Sequence, residues 1–99
     1  MYDKYDGIFQ ESKFNGHGRL FFLDGSLFTG KFIDNFREGP GKMVYPNDDR
    51  LFTCYDGLYT KDTKSGKGEL QYRNGDHYSG DFKNNLPDGF GRLIFISND

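Results

Sequence analysis

All 14 glycines of this 99-residue chain fall into a single repeating frame. An aromatic-x-Gly-x-aromatic unit occurs as Tyr5-Asp6-Gly7-Ile8-Phe9, Phe28-Thr29-Gly30-Lys31-Phe32, Tyr55-Asp56-Gly57-Leu58-Tyr59 and Tyr78-Ser79-Gly80-Asp81-Phe82. Nine positions after each unit glycine comes a Gly-x-Gly pair: Gly16/Gly18, Gly39/Gly41, Gly66/Gly68 and Gly89/Gly91. The remaining glycines, Gly25 and Gly75, hold the same place in the first and third copies. A fixed period of this kind marks an array, in which each unit is buried by its neighbours and not by a central core.

The unit glycines are spaced by 23, 27 and 23 residues, so the middle step carries four extra. This divides the chain into one domain of four repeats, about 5–27, 28–50, 55–77 and 78–96, with the surplus near 46–50. There Pro46-Asn47-Asp48-Asp49-Arg50 replaces the Asp-Gly turn by a polar loop. The insertion is expected to kink the array and divide it into two pairs. The pairs repeat at a spacing of 50, which points to duplication of a two-copy unit.

Within each copy the apolar positions alternate, which is the period of a strand. Tyr5, Gly7 and Phe9 share a face; so do Gly18, Leu20 and Phe22, with counterparts Met43 and Tyr45, Leu70 and Tyr72, Leu93 and Phe95. The pattern predicts an all-β fold: an elongated, single-layer, twisted antiparallel meander of four hairpins and about eight strands. Asp24-Gly25 and Asn74-Gly75 are expected to close tight two-residue hairpins. Residues 10–15, 33–38, 60–65 and 83–88 read as longer polar connections into Gly-x-Gly turns.

Glycine and aromatic form one device. A glycine between two rings leaves a gap in which a neighbouring ring can lie, and Gly-x-Gly tolerates conformations barred to other residues. Glycine weakens a strand by roughly 0.5–1 kcal/mol relative to alanine. Burial of about 150–250 Å² per ring must offset that loss. Twelve of the 18 Phe and Tyr residues occupy repeated positions, so most of the core is expected to be a ladder of rings.

A mean hydropathy of −0.82 and the lack of a long apolar run argue against a membrane-spanning helix or a secretory leader. Cys54 is the lone cysteine, which suits a cytosolic chain. Met1, four residues ahead of the first unit, reads as a native start.

This spacing, four times in register over residues 5–95, resembles the MORN repeat (membrane occupation and recognition nexus). The family's frequent tryptophan at the second aromatic is Phe9, Phe32, Tyr59 or Phe82 here, and the second copy lacks the late glycine. The resemblance implies hairpins stacked into a curved single sheet. It also implies a non-catalytic scaffold or linker in cilia, flagella, radial spokes or other cytoskeletal assemblies, with phospholipid binding or a groove-held helical peptide in some members.

Catalytic and metal chemistry find little support. His17 and His77 lie 60 residues apart beside turns, without ligand partners at suitable spacing. Nothing near Cys54 in sequence would activate it as a nucleophile. Lys64-Ser65-Gly66-Lys67-Gly68 lacks the spacing and following helix of a phosphate loop. Asp48, Asp49 and Asp56 lack the alternating oxygens of a calcium loop. No cofactor is expected. A net charge of −2 with interspersed signs argues against nucleic acid. Lys61, Lys64 and Lys67 offer only a weak attraction to anionic lipid, interrupted by Asp62.

The remaining expectation is a surface for protein partners. Tyr5, Phe9, Phe28, Phe32, Tyr55, Tyr59, Tyr78 and Phe82 form the candidate partner-binding aromatic face. Gly7, Gly16, Gly18, Gly30, Gly39, Gly41, Gly57, Gly66, Gly68, Gly80, Gly89 and Gly91 are its structural glycines. The other face mixes Ile8, Phe21, Val44, Leu58 and Ile94 with charges; neighbours among them would mark a contact patch. An amphipathic helix in the groove, or a strand added near Tyr5 or Phe95, is the expected docking mode. A ciliary or flagellar axonemal subunit is the leading reading, and a membrane-associated adaptor for anionic phospholipid the alternative.

Overall fold

A computed structural model describes residues 2–96. Eight strands follow one another: β1 (Tyr2–Gln10), β2 (Lys13–Phe22), β3 (Leu27–Ile33), β4 (Phe36–Val44), β5 (Phe52–Thr60), β6 (Thr63–Tyr72), β7 (His77–Lys83) and β8 (Leu86–Ile94). They form one antiparallel sheet in chain order, the predicted meander, extending 52 × 29 × 16 Å.

A row of glycines crosses every strand. Gly7 pairs with Gly18, Gly18 with Gly30, and the sequence continues through Gly41, Gly57, Gly68 and Gly80 to Gly91. The reason is steric: a Cβ on Gly30 would lie 2.6 Å from the Cα of Gly41 and 2.8 Å from the ring of Phe28. The first glycine of each Gly-x-Gly does something else. Gly16, Gly39, Gly66 and Gly89 have φ between +83° and +93° and lie within β2, β4, β6 and β8, opposite register shifts in the preceding strands. They are bulges that bend the sheet, where turns were expected.

The two kinds of connection are the reverse of the expectation. Glu11-Ser12, Asp34-Asn35, Lys61-Asp62 and Asn84-Asn85 are the two-residue turns, each with positive φ at both residues. Asp24-Gly25 and Asn74-Gly75 lie in longer loops, where only the glycine has positive φ. Gly25 N donates to Phe22 O at 3.1 Å and Phe22 N to Ser26 O at 2.9 Å, the pattern of a type I turn followed by a glycine bulge. The Asp24 carboxylate accepts from Ser26 N at 2.8 Å, which holds Asp24 out of the left-handed region and its own pKa below the usual carboxylate range.

The insertion does not split the array. β4 and β5 pair in the register of the other inter-hairpin ladders, with Gly41 opposite Gly57 and Met43 opposite Tyr55. The extra residues fill the loop from Tyr45 to Leu51. Asp49 caps it, accepting from Leu51 N at 2.9 Å and Phe52 N at 2.8 Å. Arg73 pins it from the next loop, donating to the carbonyls of Pro46, Asp49 and Phe52 at 2.8–2.9 Å.

Candidate functional site

The ring face closes on itself. The eight rings of the repeated units form an unbroken zigzag, Phe9–Tyr5–Phe32–Phe28–Tyr59–Tyr55–Phe82–Tyr78, with centroids 5.1–5.3 Å apart and planes at 73–90°. Edge-to-face contact of this kind satisfies the ring quadrupoles and contributes about 0.5–1.5 kcal/mol per pair beyond area. Leu20, Met43 and Leu70 fill the positions between rings on the even strands. Tyr5, Tyr55 and Tyr78 each donate a hydroxyl hydrogen bond to the carbonyl three residues on, at 2.8–2.9 Å.

One position covers this ladder. Seven residues after each unit glycine stand Phe14, Arg37, Lys64 and Pro87, paired across the hairpin with Phe9, Phe32, Tyr59 and Phe82. Phe14 stacks on Tyr5 at 3.9 Å. The Arg37 guanidinium lies 5.0 Å from the Tyr59 ring centre and 5.7 Å from that of Phe28. The Lys64 ammonium lies 5.3 Å from Tyr55 and 5.5 Å from Tyr45. These are cation–π contacts partly shielded from water. Burial and then the Arg37 charge hold the Lys64 pKa below its usual value. Burial pushes Tyr45 and Tyr55 up to about 12 and raises Tyr59, whose hydroxyl has no hydrogen-bond partner among the described residues.

The same covering residue ties one hairpin to the next. Asn35 Oδ1 accepts from Phe14 N at 2.9 Å while Asn35 N donates to Phe14 O at 3.0 Å. Asp62 does likewise with Arg37, and Asn85 with Lys64. The second turn residue must sit in the left-handed region to present both groups, which is why these turns carry Asn and Asp.

Six of the eight rings proposed as a docking face are therefore core: Phe28, Phe32, Tyr55, Tyr59, Tyr78 and Phe82 are at most 8% exposed. Phe14, Arg37 and Lys64 lie against the ladder and shield it. Tyr5 is half-buried and Phe9 is 58% exposed, both on the terminal strand β1. The period contained the covering position, but an aromatic, two cations and a proline occupy it, so it left no compositional trace.

The opposite face is open. Phe21 pairs with Leu27, Leu27 with Val44, and Val44 with Cys54, an apolar row across four adjacent strands. Phe21, Leu27 and Cys54 are half-buried and Val44 is exposed. The row ends in Gln71, His77 and Ile94. Beside it runs a polar row, Asp6, Arg19, Thr29, Lys42, Asp56, Glu69, Ser79 and Arg92. A shallow trough of about 860 Å³ opens over its β5–β8 end, between Asp56, Glu69, His77 and Arg92. Alternation foretold Phe21 and Val44 on this face, but only the register reveals Leu27 and Cys54 between and beyond them.

Among the described residues three ion pairs tie charges together within the sheet. Arg19 pairs with Asp6 at 2.9 Å, Arg37 with Asp62 at 3.1 Å and Lys67 with Asp81 at 2.6 Å. Of the three lysines read as a basic cluster, Lys64 lies on the ring face and Lys67 on the opposite face. Among the described residues no group of three His, Cys, Asp or Glu side chains could hold a metal ion.

A family model described as the MORN repeat matches residues 5–27, 28–50, 55–77 and 78–99. No curated protein matches the chain.

Proposed function

The chain belongs to the MORN-repeat family, and from that membership we propose that it is a non-catalytic scaffold that binds proteins along the face opposite its rings. MORN repeats are interaction modules for proteins or membranes and are generally non-catalytic, which supports this class of activity. The observation that carries the protein reading is the row Phe21–Leu27–Val44–Cys54. A single layer leaves this row accessible, with Lys4 and Arg19 over its Phe21 end, and contiguous apolar side chains rimmed by charge are the surface a protein partner buries. The dispersal of the lysines and the pairing of Lys67 with Asp81 weigh against an anionic lipid surface as the ligand. The cellular setting we favour is cytoplasmic, within a ciliary, flagellar or other cytoskeletal assembly, a placement that rests on the family alone.

Affinity capture from ciliated cells, with the wild-type chain compared to Leu27→Lys and Val44→Lys, tests the reading. Axonemal proteins retained by the wild type through a high-salt wash and lost from both variants are the expected result. Equal retention would refute the site, and salt-sensitive flotation with anionic vesicles would move the assignment to a lipid adaptor.

A further inference from the structure

The ring zigzag and the strand register are both periodic, and among the described residues their two ends match. Every junction between hairpins obeys one rule: Gly18–Gly30, Gly41–Gly57 and Gly68–Gly80 are paired, as are Gly16–Phe32, Gly39–Tyr59 and Gly66–Phe82. Each unit's first ring packs edge-on against the second ring of the following unit, as Tyr5 on Phe32, Phe28 on Tyr59 and Tyr55 on Phe82. Tyr78 has no following unit among the described residues, and Phe9 has no preceding one. Phe32, Tyr59 and Phe82 are at most 3% exposed, whereas Phe9 is 58% exposed.

We infer that the β8 edge of one copy binds the β1 edge of a second copy, continuing the array head to tail. Extending the register places Gly91 against Gly7 of the second copy, Gly89 against Phe9, and Leu93 against Tyr5. Tyr78 then reaches Phe9 of the second copy as Tyr55 reaches Phe82. On the opposite face the rule sets Phe90, 87% exposed, against Ile8, 56% exposed. It also sets Arg92 against Asp6, opposite signs at the place where Lys42 faces Asp56. Unpaired strand edges supply the hydrogen-bonding groups. A β1–β1 or β8–β8 pairing brings neither Tyr78 to Phe9 nor Arg92 to Asp6.

The junction is weaker than those inside the chain. At the covering position Pro87 has no N–H to donate, and Ser12 at the second turn position lacks the amide or carboxylate oxygen of Asn35, Asp62 and Asn85. One of the two bonds that tie each turn to the preceding hairpin is missing. Association is therefore concentration-dependent, and because the contact is heterologous each added copy presents a fresh edge to the next.

Sedimentation equilibrium of the 99-residue chain over a concentration series provides the test. The wild type should gain mass steadily with concentration. Ile8→Lys and Phe90→Lys, both at exposed positions and checked for folding by circular dichroism, should each be monomeric, while their mixture gives a one-to-one dimer. Ser12→Asn with Pro87→Lys restores the missing bond and should tighten association roughly fivefold. A wild type that stays monomeric, a single-edge variant that still dimerises, or a double variant of unchanged affinity would each overturn the proposal. The purified chain contains no other protein, so the result is independent of the scaffold role.

Discussion

Asp62 holds Arg37 by four hydrogen bonds across 25 residues of sequence. Its Oδ1 accepts from Arg37 N at 2.7 Å and Nε at 3.1 Å, its carbonyl accepts from Nη2 at 3.0 Å, and its N–H donates to Arg37 O at 2.9 Å. The pair joins the second hairpin to the third and fixes the guanidinium over three rings. Asp62→Ala leaves a largely covered cation without its carboxylate and removes the turn acceptor. It should cost about 2 kcal/mol in urea unfolding, reduced from buried-pair values because Asp62 is partly exposed. Asp62→Asn keeps the acceptor found in Asn35 and Asn85 and should cost less than about 1 kcal/mol. Equal losses would show that charge, and not the turn bond, holds the hairpins together.

The glycines should separate into two classes. Gly30→Ala drives a Cβ into the Gly41 backbone and the Phe28 ring, neither of which can yield, and should cost about 3 kcal/mol or more. Gly39→Ala meets nothing closer than Lys31 Cδ at 3.6 Å and carries only the strain of φ +83°. Its cost should be about 1–2 kcal/mol. Thermal unfolding of the two variants decides the matter, and similar melting temperatures would contradict the close approach across the glycine row.

The first turn invites stabilisation. Glu11 at φ +53° and Ser12 at φ +66° occupy left-handed backbone without a preceding hairpin to dock on among the described residues. Replacing them by Asn-Gly supplies the residues that favour this turn. A gain of about 1 kcal/mol, or roughly 4–8 °C in Tm, is expected by calorimetry.

Stability should fall in alkali. Burial pushes Tyr45 and Tyr55 up to about 12, so between pH 10 and 12 the folded chain keeps protons that the unfolded chain releases. With fewer protons on the unfolded state, stability declines as pH rises, by about 1.4 kcal/mol per pH unit for each tyrosine. Phenolate absorbance from these rings should therefore appear together with the loss of circular dichroism. A phenolate signal complete near pH 10 at full structure would place the rings in water.

The repeat, its strands and the ring ladder were legible because period-two alternation and glycine spacing both survive in composition. The turns were not. Asn74-Gly75 carries the usual signal for a tight hairpin, yet Asn74 Oδ1 accepts from Asp76 N at 2.9 Å and the chain takes a longer loop. Lys61-Asp62 carries no such signal, and what its left-handed backbone serves is a bond to Arg37, 25 residues away. The aromatic face was legible as a face but not as a closed one, since closure depends on Phe14, Arg37 and Lys64. For the same reason the apolar row opposite emerges only when the register sets Leu27 between Phe21 and Val44.

Strand order equal to chain order also has a mechanical meaning. The first and last strands lie at opposite ends of the sheet, so tension applied through them crosses seven ladders in series. Each ladder carries the full load, and among the described residues no second layer shares it. Under pulling, such a sheet yields at its weakest ladder and lengthens hairpin by hairpin, a graded response in place of one all-or-none rupture.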